Sequence, residues 1–185
     1  MNTSINCDSS KKYSNIDINK LRKLQGIEIG NGRSGYVMKI ADNIVKKVYT
    51  NNAINRMKKE TDVLSLLQNY PYFPKIIFID YDNSSLYMSY VGIKLRGIKK
   101  QFLPSNSMQQ VYDIVQILKD NNIFHHDLAL SHLMLHNNII HLVDFEKACI
   151  NKCCLKKSDT IKYKYDSMDY LYNIFDKYYN KHNIR

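Results

Sequence analysis

The segment from Phe124 to Ala148 places two carboxylates, Asp127 and Asp144, on either side of an apolar hairpin pattern. Leu133, Met134 and Leu135 run up to a polar turn, His136-Asn137-Asn138, and Ile139, Ile140, Leu142 and Val143 run back. Strands joined this way bring their outer ends together, so Asp127 and Asp144 should lie close in space. Carboxylates held together at low dielectric repel by roughly several kcal/mol unless a cation sits between or beside them. The pair reads as a site that holds a divalent metal and handles a proton; the alternative is a surface hairpin with two unrelated acids. A second chemical segment lies upstream, where Gly30, Gly32 and Gly35 sit between strand patterns. Glycines there let the backbone approach a ligand, and successive N–H groups can face phosphate oxygens. Dinucleotide folds also use a G-x-G-x-x-G, but here the third glycine leads into Tyr36-Val37 and an alternating strand rather than a helix.

Other elements must hold these two segments. Leu24 to Ile29 and Met38 to Ile40 flank the glycines as strands, and a turn at Ala41-Asp42-Asn43 returns the chain through Ile44-Val45-Lys46-Lys47-Val48. Ala53 to Gln68 has helical period, with Met57, Val63, Leu64 and Leu67 on one stripe. Glu60 lies on that stripe, and a carboxylate on a buried face needs a partner charge. Lys58 or Arg56 on the helix itself could supply it. Ile76 to Ile79 and Leu86 to Val91 read as strands across a turn, and Met108 to Lys119 as a helix delivering the chain to His125. Tyr165 to Tyr179 reads as a last helix, with Met168, Leu171, Tyr172 and Phe175 at core spacing and Asp166 or Asp169 as its cap.

Taken in order, the glycine-rich turn, the strand lysine, Glu60, His125-His126-Asp127 and Asp144-Phe145 resemble the protein-kinase-like superfamily over about Leu24 to Lys147. The resemblance implies that Asp127 orients or deprotonates an acceptor hydroxyl and that Asp144 holds magnesium across ATP phosphates. It implies that one strand lysine, aimed by Glu60, grips the α- and β-phosphates. Alternation lets only one of the two lysines enter the cleft. Lys46 is preferred, because choosing Lys47 would send Lys46 toward an apolar underside. That choice leaves Ile44 beside Val37 above the adenine, with Met88 behind it. The backbone of Ser89, Tyr90 and Val91 would then hydrogen-bond the base, and Met134 joins the nucleotide-binding set. Asp166 or Asp169 could instead brace the catalytic loop.

Four positions depart from the family's pattern. His126 replaces an arginine, which implies no control by an activation-loop phosphate. Ala129 stands where serine/threonine kinases keep a lysine, and Glu146 replaces a glycine. His132 replaces the second metal-binding asparagine; imidazole ligates divalent ions, although magnesium prefers oxygen. His132 with Val143 to Ala148 looks similar to lipopolysaccharide-core sugar kinases, and Asp144-Phe145-Glu146 is similar to choline and aminoglycoside kinases.

The chain has 185 residues, which suits one domain or a small two-lobed one. Lysine and arginine number 27 against 17 aspartates and glutamates, a net charge of +10. That excess describes either a solvated surface or one drawn to anionic partners. No basic run marks a nucleic-acid module. Cys7, Cys149, Cys153 and Cys154 make neither a disulfide framework nor a zinc spacing, which fits a reducing compartment. No N-terminal apolar run marks a signal peptide and no stretch is apolar enough for a membrane span.

The expected fold is α+β and two-lobed, with an antiparallel-sheet N-lobe over residues 21–92, a truncated, mainly helical C-lobe over 93–185 and a flexible polar tail over 1–20. The expected function is ATP-dependent phosphotransfer with Mg2+ or Mn2+, acting as an atypical serine/threonine protein kinase. Alternatives are a small-molecule kinase of sugar or lipopolysaccharide-core type, or a pseudokinase serving as a binding module. Expected partners are ATP and a protein or small-molecule hydroxyl acceptor. The expected location is the cytoplasm, that of a host if the chain is a viral or effector protein.

Overall fold

The computed structural model describes residues 16–151 and 168–180. Five antiparallel strands form the main sheet: β1 (Ile27–Gly32), β2 (Gly35–Ala41), β3 (Ile44–Tyr49), β4 (Ile76–Asp80) and β5 (Ser85–Ser89), in the order β1-β2-β3-β5-β4. The β1–β2 hairpin closes through Arg33 and Ser34, with Gly32 opposite Gly35. Gly35 has φ +146°, and an added Cβ would lie 1.8 Å from the Val48 carbonyl oxygen, so only glycine fits this close approach to β3.

Ahead of the sheet, α1 (Ile18–Lys23) occupies part of the expected polar tail, whose residues 1–15 lie outside the described residues. Asp17 caps α1, accepting hydrogen bonds from the N–H groups of Asn19 and Lys20 at 3.0 and 3.3 Å. Leu21 packs with Ile40, Ile44 and Tyr87 on the outer face of the sheet. Arg22 fixes the helix by a two-pronged bond to Asp80, at 2.8 and 3.0 Å. A single buried leucine in six residues leaves no period to detect, which is why sequence pattern treats this helix as tail.

The inner face is covered by α2 (Ile54–Leu66), which buries Met57, Val63 and Leu64 together with Glu60. Gln110, Val111, Ile114, Val115 and Leu118 are the buried side of α3 (Ser107–Asp120). The hairpin of β8 (Leu133–His136) and β9 (Ile139–Leu142) pairs Leu133 with Leu142 and His136 with Ile139, as the apolar pattern requires. Its two turn residues, Asn137 and Asn138, take φ 48° and 62°, the left-handed pair that suits a tight hairpin. β6 (Ile93–Lys94) adds to the β8 edge, and β7 (Ile123–Phe124) pairs with β10 (Cys149–Ile150). In α4 (Met168–Asn180), Leu171, Phe175 and Tyr179 are buried, while Tyr172 is partly so. Asp166 and the side chains of Met168 and Asp169 lie outside the described residues.

One apolar core runs from Val45 and Tyr49 through α2, Phe73 and Phe145 to α3, β8, β9 and α4. Cys149 is disulfide-bonded, a single bridge that the lack of a disulfide framework in the sequence does not exclude. No described helix is long and apolar enough to cross a membrane.

Candidate active site

Strand alternation decides which β3 side chains enter the crevice between the sheet and the β8–β9 hairpin. Val45 and Tyr49 join the inner core, whereas Ile44 belongs to the outer cluster with Leu21 and Tyr87. Lys47 therefore points inward, and Lys46 lies outward with its ammonium 5.4 Å from the centre of the Tyr87 ring. This corrects two expectations by one residue each: Lys47 replaces Lys46, and Val45, not Ile44, lines the crevice beside Val37. A one-residue change of phase moves every side chain to the opposite face. The cost foreseen for an outward Lys46 does not arise, because its ammonium lies over the Tyr87 ring and the residue is partly exposed.

The Lys47 ammonium lies 2.6 Å from Glu60 Oε2, 2.9 Å from Asp144 Oδ1 and 3.6 Å from Glu146 Oε2. Burial alone would favour the neutral amine, but Glu60 and Asp144 outweigh it and raise the Lys47 pKa above its ordinary value. Glu60, 2% exposed, also accepts from the Tyr49 hydroxyl and, at 3.3 Å, from the Phe145 N–H. Its expected partner charge is thus a β3 lysine rather than Arg56 or Lys58. Burial pushes the Tyr49 hydroxyl pKa up, and the neighbouring Glu60 pushes it further. Asp144 moves the other way: burial would raise its pKa, yet Lys47 holds it below the usual carboxylate range.

Across the crevice floor, one ligand atom each from Asp127, His132 and Asp144 falls within 4.8 Å of the others. The hairpin brings the aspartates together as its register demands. His132 Nδ1 lies 2.7 Å from the Asp127 carbonyl oxygen, an atom that can only accept, so Nδ1 carries the proton. In the neutral ring, Nε2 then presents its lone pair 3.5 Å from Asp144 Oδ2. Two lone-pair donors facing each other at that separation fit a divalent cation shared between imidazole and carboxylate. Asp144 itself has φ 71° and His126 φ 61°, left-handed conformations that cost about 1–3 kcal/mol each and cluster at functional sites. His125, fully enclosed, shares a 3.1 Å bond with the Val143 carbonyl and sits 4.7 Å from the Phe145 ring centre. Burial, helped by His132, pushes its pKa down to about 4, so it packs as a neutral ring.

The tip of the glycine-rich hairpin is tied to the floor. Ser34 donates to Glu146 Oε1 at 2.9 Å, while Arg56 donates to the Ser34 hydroxyl and, at 3.2 Å, to the same Glu146 oxygen. Glu146 is thus a structural link, and no local signal marked its bonds to Ser34 and Arg56. Lys147 was likewise missed: its ammonium lies 2.8 Å from Asp127 Oδ2.

These groups line a crevice of about 480 Å3. Gly30, Gly32, Gly35, Val37, Met88 and Met134 all border it, as do Ser89, Tyr90 and Val91. The N–H groups of Ser89 and Tyr90 donate to the Lys75 and Asn43 carbonyls at 2.8 Å, so neither is the base donor expected of that backbone. One end of the crevice is apolar and the other carries paired charges, a shape suited to a flat base joined to a cation-escorted polyanion.

No family model matches the sequence, and no curated protein does. Among solved structures, the chain is similar to the kinase PK-1 of Cydia pomonella granulovirus, at 25% identity and a TM-score of 0.58. The match covers 80% of this chain and 60% of that one, so the chain spans about three fifths of the viral kinase's length. The protein accordingly has a small, mixed α+β, kinase-like fold.

Proposed function

We propose that the protein is an ATP-dependent phosphotransferase that uses a divalent cation and transfers the γ-phosphate to a hydroxyl. The observation that carries this reading is Lys47 held at 2.6 Å from Glu60 and 2.9 Å from Asp144, beneath the glycine-rich hairpin and beside Asp127. Glu60 and Asp144 keep the lysine charged and aimed, so that it can neutralise phosphate oxygens without rearranging. Asp144 and His132 would hold the cation, which supplies charge neutralisation at the phosphates. Val37, Val45, Met88 and Met134 would enclose the base.

Asp127 accepts the proton of the acceptor hydroxyl as that oxygen bonds to the γ-phosphorus. The bond from phosphorus to the β–γ bridging oxygen breaks, and ADP leaves with the electron pair. Most of the acceleration then comes from position and fixed charge. The Asp127 side chain is 37% exposed, so a serine or threonine hydroxyl on another protein can reach it. A protein acceptor is the first to be tested.

Full-length protein incubated with γ-labelled ATP and Mg2+ or Mn2+ should label itself or a protein in a lysate, and Asp127→Asn should reduce labelling by roughly a hundredfold or more. Labelling of sugars or amino alcohols with none of protein would move the acceptor to a small molecule. Failure both to transfer phosphate and to bind nucleotide with either metal would overturn the reading.

A further inference from the structure

Between Lys119 and Lys147 the chain carries no lysine or arginine, so the loop bearing Asp127 and the hairpin to Asp144 supply no fixed cation of their own. Two of the cations above the floor are already engaged. Lys47 touches three carboxylates, and Arg56 is bound to Glu146 and Ser34. Lys147 differs from both. Its side chain is 47% exposed, and its ion pair with Asp127, itself 37% exposed, is the kind that contributes little and exchanges readily.

Its base, however, is well anchored. Phe145 and Ala148 are fully buried on either side and close a turn through the Ala148 N–H to the Phe145 carbonyl at 2.9 Å. Glu146 is pinned by Ser34 and Arg56. A flexible ammonium on a rigid turn, beside the carboxylate that would receive the acceptor's proton, has one further destination in the crevice: the oxygens of the phosphate being transferred.

Resting on the phosphotransferase reading, we propose that Lys147 is a catalytic residue that occupies Asp127 in the empty site and moves to the γ-phosphate when ATP binds, leaving the Asp127 carboxylate to the acceptor hydroxyl. The move exchanges one ion pair for another and leaves each group's charge unchanged. It also makes the proton acceptor available only once the donor phosphate is seated.

The test is nucleotide binding by the full-length protein, comparing a non-hydrolysable ATP analogue with ADP by calorimetry in Mg2+ or Mn2+. Lys147→Met and Lys147→Gln should each weaken the analogue roughly tenfold or more, the scale of one charge-assisted hydrogen bond, while ADP affinity stays within about twofold. Lys147→Arg should retain much of the preference for the third phosphate. Because the side chain is half exposed, the melting temperature of all three variants should match the wild type. If wild type binds the analogue and both neutral variants bind it equally well, or lose ADP to the same extent, the proposal is wrong and the phosphotransferase reading survives. Wild type that binds neither nucleotide removes both.

Discussion

Replacing Lys47 with methionine tests the inward assignment of that side chain directly. The substitution keeps most of the volume and removes a buried ammonium, leaving Glu60, Asp144 and Glu146 facing one another without their shared cation. Glu60 is 2% exposed and cannot turn to solvent. Breaking a buried ion pair from one side costs about 3–5 kcal/mol. For a chain of this size each kcal/mol lowers the melting temperature by roughly 2–4 °C, so Lys47→Met should melt on the order of 10 °C below wild type. Lys46→Met removes only a cation–π contact at a partly exposed site, worth about 1 kcal/mol or less, and should melt within a few degrees of wild type. Thermal melts of the two variants at pH 7 decide the matter. Carboxylates stranded without a counter-charge are relieved by protonation, so the Lys47→Met deficit relative to wild type should narrow as pH falls toward 4. Equal losses in the two variants, or a larger loss for Lys46→Met, would refute the reasoning from strand phase.

Two further outcomes are expected. Gly35→Ala should destabilise by about 2 kcal/mol or more, because its Cβ would collide with the Val48 carbonyl at 1.8 Å, whereas nothing lies within 4 Å of a Cβ at Gly32, and Gly32→Ala should shift stability by about 0.5 kcal/mol at most; urea denaturation of both variants checks this, and equal midpoints would contradict it. Burial pushes the pKa of both His125 and His141 down to about 4, below the unfolded value near 6.5. The unfolded chain therefore binds protons first, and the stability present above pH 6.5 is lost as pH falls toward 4, by on the order of 2 kcal/mol per ring at pH 5. A melting temperature unchanged between pH 7 and 5 would show that these rings are not kept neutral.

Much of the site was legible because its parts are local. The β8–β9 hairpin is encoded by alternating apolar residues and an Asn-Asn turn, and its register returns Asp144 beside the loop that carries Asp127. Glu60 declared itself as a carboxylate on the apolar stripe of α2. The phase of β3 was not legible, since Ile-Val-Lys-Lys-Val fits either face. The charges that draw Lys47 inward lie 13 residues away at Glu60 and 97 away at Asp144, beyond the reach of any periodicity. Ile44 was misplaced by the same slip. The link from Ser34 to Glu146 spans 112 residues, and neither of the two motifs that hold them points to the other. α1 stayed hidden because one buried leucine and a capping aspartate make a weak helical signature, although both are visible once Asp80 is seen to need Arg22.

The Phe73 ring meets Phe145 edge-on at 5.9 Å, and Phe145 in turn leans on His125, within apolar packing that continues unbroken to Phe175. The crevice is therefore a notch in one solid block, not a gap between two independently folded halves. Damage remote from the chemistry, such as hollowing out Phe175, weakens the floor and the roof together, and anything seated in the notch braces the entire chain against unfolding.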